Sequence, residues 1–139
     1  MNYCLGFAFS EDAVLLIRKK KPDWQEGRLN GIGGKLEPGE TPVEAMVREF
    51  AEECGVETQA TDWGCFAVIT GSDWRVVCFR AAPDNVGTAR TTTEEEIVWV
   101  KHAELPFRAD LLSNVDWLVA LSRDIDLYDR DPVEIGYPD

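Results

Sequence analysis

Glu49, Glu52 and Glu53 stand at positions i, i+3 and i+4, and on a helix that spacing puts three carboxylates on one face. Like charges so placed repel by about 0.2–0.5 kcal/mol per pair, and a helix meant only to be wet would more often alternate them with lysine. The plain reading is a solvated acidic surface. The chemical reading is a hard divalent cation, because Mg²⁺ takes oxygen ligands, keeps part of its water, and is shared between a few carboxylates and substrate phosphates.

The elements that would position these side chains are explicit. Thr41 is a good N-cap, Pro42 suits the first helical position, and Glu44 completes a capping box. Gly55 is placed to end the helix in a left-handed turn. Met46, Phe50 and Cys54 recur every four residues and should reach the core. In front of the helix, residues 30–34 (Asn-Gly-Ile-Gly-Gly) read as a glycine-dense loop that lets backbone approach a ligand. Pro38-Gly39 marks a turn that brings Glu40 to the helix start.

Together these residues resemble the Nudix box, G-x5-E-x7-R-E-U-x-E-E-x-G-U with U apolar. Gly34, Glu40, Arg48, Glu49, Phe50, Glu52, Glu53, Gly55 and Val56 fill its fixed places. The resemblance implies an α/β (α+β) fold, a mixed β-sheet held between α-helices. It also implies hydrolysis of a nucleoside diphosphate linked to another group, with Mg²⁺ or Mn²⁺. On that resemblance Glu49, Glu52 and Glu53 hold metal ions, helped by the Gly34 carbonyl and Glu40, and Arg48 orients the glutamates by ion pairing. Either Glu49 or Glu53 takes the proton from the attacking water.

Outside the box the chain is similar to the MutT-like branch that includes the oxidised purine nucleoside triphosphatases. Residues 29–35 (LNGIGGK) look like that branch's W-N-G-F-G-G-K, which nominates Asn30 for the base and Lys35 as a further substrate contact. Residues 105–108 (LPFR) resemble its I-P-F-K at a matching distance from Trp99, which nominates Glu94 as a distal metal ligand. Phe66 and Trp74 fall where pocket-lining residues of that branch lie. Leu111, Ser113 and Asn114 replace its base-reading tryptophan and paired aspartates. Those groups offer different donors and acceptors, so base preference should differ too. A proline and a tyrosine that mark the ADP-ribose and dinucleoside polyphosphate groups have no counterpart between Gly71 and Trp74.

The remaining features bound the answer. The chain has 139 residues, 45% of them hydrophobic, with five tryptophans, enough for one domain spanning 1–139. A net charge of −12 argues against gripping a nucleic acid polymer. It does not exclude a small anionic substrate beside a metal. Cys4, Cys54, Cys65 and Cys78 lack C-x-x-C pairing and read as free thiols of a reducing cytoplasm. No membrane-spanning run or signal peptide is visible.

Tyr3–Phe9 and Val14–Arg18 read as a hairpin, Cys65–Thr70 and Trp74–Ala81 as further strands, and Ile97–Val100 as a short one. Leu111, Leu112, Val115, Leu118, Val119 and Ser122 fit a second amphipathic helix. Lys19, in the basic run after the second strand, could meet phosphate. Trp24, in a polar loop, could stack on a base. His102, the sole histidine, has no nucleophile or acid beside it in sequence. The acidic tail, 124–139, should trail along the surface or contact another subunit; dimers are frequent in the family, and nothing here demands one.

The expected activity is hydrolysis of a (deoxy)nucleoside triphosphate, oxidised or modified ones included, to the monophosphate and pyrophosphate. The alternatives are another substrate such as ADP-ribose or a nucleotide sugar, and a nucleotide-sensing domain that does not cut. Sensing domains of the family usually carry a damaged box, whereas this box is intact.

Overall fold

The computed structural model describes residues 1–124 and 131–138. An eight-stranded mixed sheet forms from β1 (Asn2–Phe9), β2 (Ala13–Arg18), β3 (Leu29–Asn30), β4 (Ile32–Lys35), β5 (Gly64–Thr70), β6 (Arg75–Ala81), β7 (Ile97–Lys101) and β8 (Val133–Gly136). Helix α1 (Pro42–Cys54) follows β4, and α2 (Val115–Ser122) follows β7.

The centre is β1, which runs parallel to β6 along one edge. Its other edge is shared. The start of β1 pairs antiparallel with β4, Tyr3 opposite Lys35 through Gly6 opposite Ile32, while its end pairs with β2 at Ala8–Leu15 and Phe9–Val14. β2 then carries β3 and β7. The sheet therefore forks where β4 and β2 part from β1.

Strand alternation sorts β1 into two faces. Leu5, Phe7 and Phe9 pack with Leu118 and Val119 of α2, while Cys4 and Ala8 pack with Met46, Phe50 and Cys54 of α1. Small residues on the second face let α1 sit close. A Cβ added to Gly6 would lie 2.5 Å from the Met46 sulfur. Phe50 is fully buried and meets Trp63 edge-on at 5.1 Å. Truncating such a core phenylalanine costs about 3–5 kcal/mol.

The ends of α1 follow the local code. Thr41 Oγ1 accepts the Glu44 N–H, Glu44 accepts the Thr41 N–H, and Gly55 takes φ +71°. No helix among the described residues is long and apolar enough to cross a membrane.

Three expectations are corrected. The glycine-dense stretch before α1 is mostly strand, not loop. Glycine is needed there for close approach, since a Cβ on Gly33 would fall 2.0 Å from the Cys4 carbonyl oxygen. The second helix starts only at Val115, because Leu111 is drawn into a bridge beside Leu29 and Leu112 is buried ahead of the first turn. Part of the tail does not trail: Val133–Gly136 adds a parallel strand to the free edge of β5, supplying hydrogen-bond partners to an otherwise open strand. Residues 125–130 and 139 of that tail lie outside the described residues.

Candidate active site

Arg48 organises the acidic face of α1. Its Nε and Nη2 donate to the two oxygens of Glu40 at 2.7 and 2.9 Å, the bidentate geometry that makes guanidinium–carboxylate pairs strong. Nη1 donates to Glu49 Oε1 at 2.8 Å and to Glu52 Oε2 at 3.3 Å, and Nη2 also reaches the Lys35 carbonyl at 3.2 Å. The Arg48 hydrogen bond holds Glu40 down at about pKa 2, with help from the Glu37 N–H. Glu40 in turn raises Arg48.

Glu53 has the opposite environment. Burial, and then the charge of neighbouring Glu49, push its carboxyl up to about 8. Its Oε2 is buried and makes no hydrogen bond, a costly state for a carboxyl oxygen. Glu49 leans against the backbone of β4: a Cβ on Gly34 would lie 2.6 Å from Glu49 Oε1. Only glycine leaves that space.

Across from α1, Glu95 is 9% exposed. It accepts from Lys19 Nζ at 3.0 Å and from the Lys20 N–H at 2.7 Å. Burial alone would raise Glu95, but the Lys20 amide and the Lys19 ammonium outweigh it and hold the carboxyl low. The charges of Lys19 and Glu95 both reach Glu53, with opposite sign.

Among the described residues, no three Asp, Glu, Cys or His side chains already converge as a finished ion shell. The donors nevertheless suit a hard cation. They are oxygens, two of them belong to adjacent like-charged carboxylates, and one buried oxygen lacks any partner. A divalent ion beside Glu49 and Glu53 would relieve both the repulsion and the orphaned oxygen.

A cavity of about 780 Å³, within the size range of small-molecule sites, reaches Gly33, Gly34 and Lys35, while Arg48 and the α1 glutamates stand outside its lining. Lys19, Trp24, Asn30, Trp74, Ser113 and Asn114 also line it. Asn30 Oδ1 accepts the Gly31 N–H at 2.8 Å, which orients the amide with its NH₂ as the remaining donor. Trp24 stands at the rim, 72% exposed.

Other expected residues fall elsewhere. Phe66 is buried in the core against Phe7, with ring centroids 6.2 Å apart, and Leu111 packs beside Leu29; neither lines the cavity. Glu52 stands on the rim of the acidic cluster, its side chain 56% exposed. Glu94 points outward, 59% exposed and 3.7 Å from Lys21, so its neighbour Glu95 is the acid turned inward. His102 packs against Phe9 at 5.6 Å, away from the cavity.

Two residues placed beside these groups had not been singled out from the sequence. Glu95 is one, and only the phase of the chain entering β7 distinguishes it from Glu94 and Glu96. Tyr137 is the other: it lines the cavity after β8, and its only signal was the alternation of Val133, Ile135 and Tyr137.

A sequence model of the NUDIX domain matches residues 4–118. The chain is 30% identical over 93 residues to a CTP pyrophosphohydrolase of Escherichia coli K12, covering 66% of this chain and 68% of that protein. It is 30% identical over 112 residues to the oxidized purine nucleoside triphosphate hydrolase of Mus musculus, covering 78% and 70%. An 8-oxo-dGTP diphosphatase of Escherichia coli K12 is 35% identical over 60 residues, 42% of this chain and 46% of that one, so the match spans less than half of that relative. Among solved structures, a MutT from the study of Aliivibrio salmonicida and Vibrio cholerae shares the fold, with a TM-score of 0.70 at 22% identity over 87% of this chain and 95% of that one. With its glutamate face, Arg48 clamp and forked mixed sheet in agreement with that match, the chain belongs to the Nudix family of hydrolases, near its MutT-like members.

Proposed function

We propose that this chain hydrolyses a (deoxy)nucleoside triphosphate to its monophosphate and pyrophosphate, using Mg²⁺, with Mn²⁺ as a substitute. The observation that carries the reading is the Glu49–Glu53 pair, with the partnerless Glu53 oxygen, beside the glycine strand that also lines the cavity. Glu49 and Glu53 would hold the ion with the Gly34 backbone and Glu40, and Glu52 would join from the rim. When bound, the ion neutralises phosphate charge and acidifies a coordinated water.

The chain's own groups divide the remaining work. Arg48 keeps Glu40 ionised and holds both Glu40 and Glu49 in place. Glu53, whose buried Oε2 has no hydrogen-bond partner, accepts the proton of the attacking water as general base. Lys19 and Lys35 offer positive charge to the phosphate chain. Glu95, not Glu94, is the second-segment acid whose charge reaches Glu53, and we assign it the distal role.

The base would lie among Asn30, Ser113 and Asn114, an amide, a hydroxyl and an amide. Such groups present both donors and acceptors without charge. Relatives named for CTP and for 8-oxo-dGTP support a nucleoside triphosphate as the substrate class and do not select a base.

The test is a turnover screen of normal and damaged nucleotides with Mg²⁺, products identified by mass. A monophosphate plus pyrophosphate is expected. Turnover confined to ADP-ribose or nucleotide sugars, giving two monophosphates, would replace the substrate class. Nucleotide-induced stabilisation with no turnover at all would replace the enzyme with a sensor.

A further inference from the structure

We propose that Tyr137, held in place by β8, is a base-contacting residue that forms one wall of the nucleotide pocket together with Trp74. The proposal rests on the nucleotide reading above and adds a segment of the chain that lies outside the matched domain, residues 4–118.

The position of Tyr137 is set by main-chain bonds. β8 runs parallel to β5 from Val133 opposite Ala67 to Gly136 opposite Thr70. The Tyr137 N–H then donates to the Thr70 carbonyl at 2.8 Å. Ile135 packs against the α2-side core, so the strand is anchored by a side chain as well.

Thr70 leads into the β5–β6 turn, closed by the Gly71 N–H on the Trp74 carbonyl at 2.9 Å. Within that turn the Trp74 indole sits against Gly71, where a Cβ would come within 2.1 Å of Nε1. The Tyr137 ring meets the indole edge-on, with centroids 5.8 Å apart at 77°. The glycine and tyrosine neighbours thus fix the tryptophan.

Both rings line the same cavity as Ile69, Val76 and Asn114. Tyr137 is 42% exposed, a half-open aromatic ring that is nonetheless fixed in place. Two ordered aromatics next to an amide suit a planar heteroaromatic ring, which gains stacking on its faces and hydrogen bonds at its edge. The Met1 ammonium, which also borders the cavity, donates to the Asp73 carbonyl at 2.7 Å.

The test uses the full chain with AMP, CMP, GMP and UMP as probes. Nuclear Overhauser contacts between the Tyr137 ring and base protons are expected for the monophosphate that binds best. For Tyr137→Ala, affinity for that monophosphate should fall about tenfold, KM for the matching triphosphate should rise about as much, and kcat should stay within about twofold. Tyr137→Phe should restore binding, because the ring carries the contact. Inorganic pyrophosphate should bind all three proteins equally. Absence of the Overhauser contact, or unchanged monophosphate affinity in Tyr137→Ala, would overturn the assignment even if turnover is brisk. A chain that shows the contact but hydrolyses no nucleotide would remove the hydrolase reading and leave the wall standing. Failure of every monophosphate to bind would remove both.

Discussion

The acidic cluster on α1 and the cavity, which meet at Gly34, are built on opposite plans. In the cluster, one guanidinium ties Glu40, Glu49 and Glu52 together, and most of the charged groups come from a single helix. The groups proposed to meet the base are uncharged or aromatic and arrive from separate places: Asn30 from β3, Trp74 from the turn before β6, Ser113 and Asn114 from the approach to α2. A rigid charged cluster can keep one chemistry while a composite neutral set changes substrate. Alterations in the first should therefore act on kcat, and alterations in the second on KM and base choice.

The largest effect should come from Glu53→Gln. Loss of the proposed proton acceptor predicts a fall in kcat of about 10²–10⁴-fold. The same substitution has a signature in the metal-free protein. The Glu53 carboxyl is raised from 4.5 to about 8, so between those values the folded chain holds a proton that the unfolded chain has lost. Its contribution is fully present below 4.5 and disappears as pH rises through about 8. The parent protein should lose thermal stability over that window, and Glu53→Gln should lose less.

Arg48→Ala comes next. It releases Glu40 and Glu49 together and should lower kcat/KM about 10–100-fold, as loss of a supporting contact to metal ligands does. It should also flatten the acid limb of stability. Glu40, lowered from 4.5 to about 2, stabilises above 4.5 and loses that contribution as pH falls through about 2. Acid titrations of Tm in the two proteins check this.

Gly34→Ala and Gly33→Ala separate chemistry from folding within one strand. The new methyl at Gly34 meets the movable end of Glu49, so kcat should drop about tenfold with Tm nearly kept. At Gly33 it meets the Cys4 carbonyl, and the forced backbone shift should cost about 1–3 kcal/mol, read by chemical denaturation. In the cavity, Asn30→Ala should raise KM several-fold and leave kcat in place. The smallest effect belongs to Glu94→Gln, an exposed pair worth about 0–1 kcal/mol; Glu95→Gln should hurt activity more. The reverse order would return the distal role to Glu94.

How much of this was legible follows from how local each feature is. α1 was readable to its caps because Thr41, Glu44 and Gly55 act within their own turns, whereas the Arg48 clamp was implied by the resemblance to the Nudix box, its main partner Glu40 lying ahead of the helix. The strands at residues 29–35 were not, because glycine there answers a crossing over Cys4 that only the folded sheet creates. The second helix was read too long for a similar reason: Leu111 fits the helical period but is captured by Leu29. β8 depends on the free edge of β5, which lies nearly half the chain away. Glu94 and Glu95 are chemically identical neighbours, and only their burial beside Lys19 tells them apart.

The most direct test is a crystal structure with Mn²⁺ and a non-hydrolysable triphosphate analogue, the metal located by its anomalous signal. The account predicts metal bonded to carboxylate oxygens of Glu49 and Glu53 and to the analogue's phosphates, with the base beside Asn30 and Trp74. Metal bound elsewhere, with Glu53 still buried and unligated while the phosphates occupy the cavity, would contradict it.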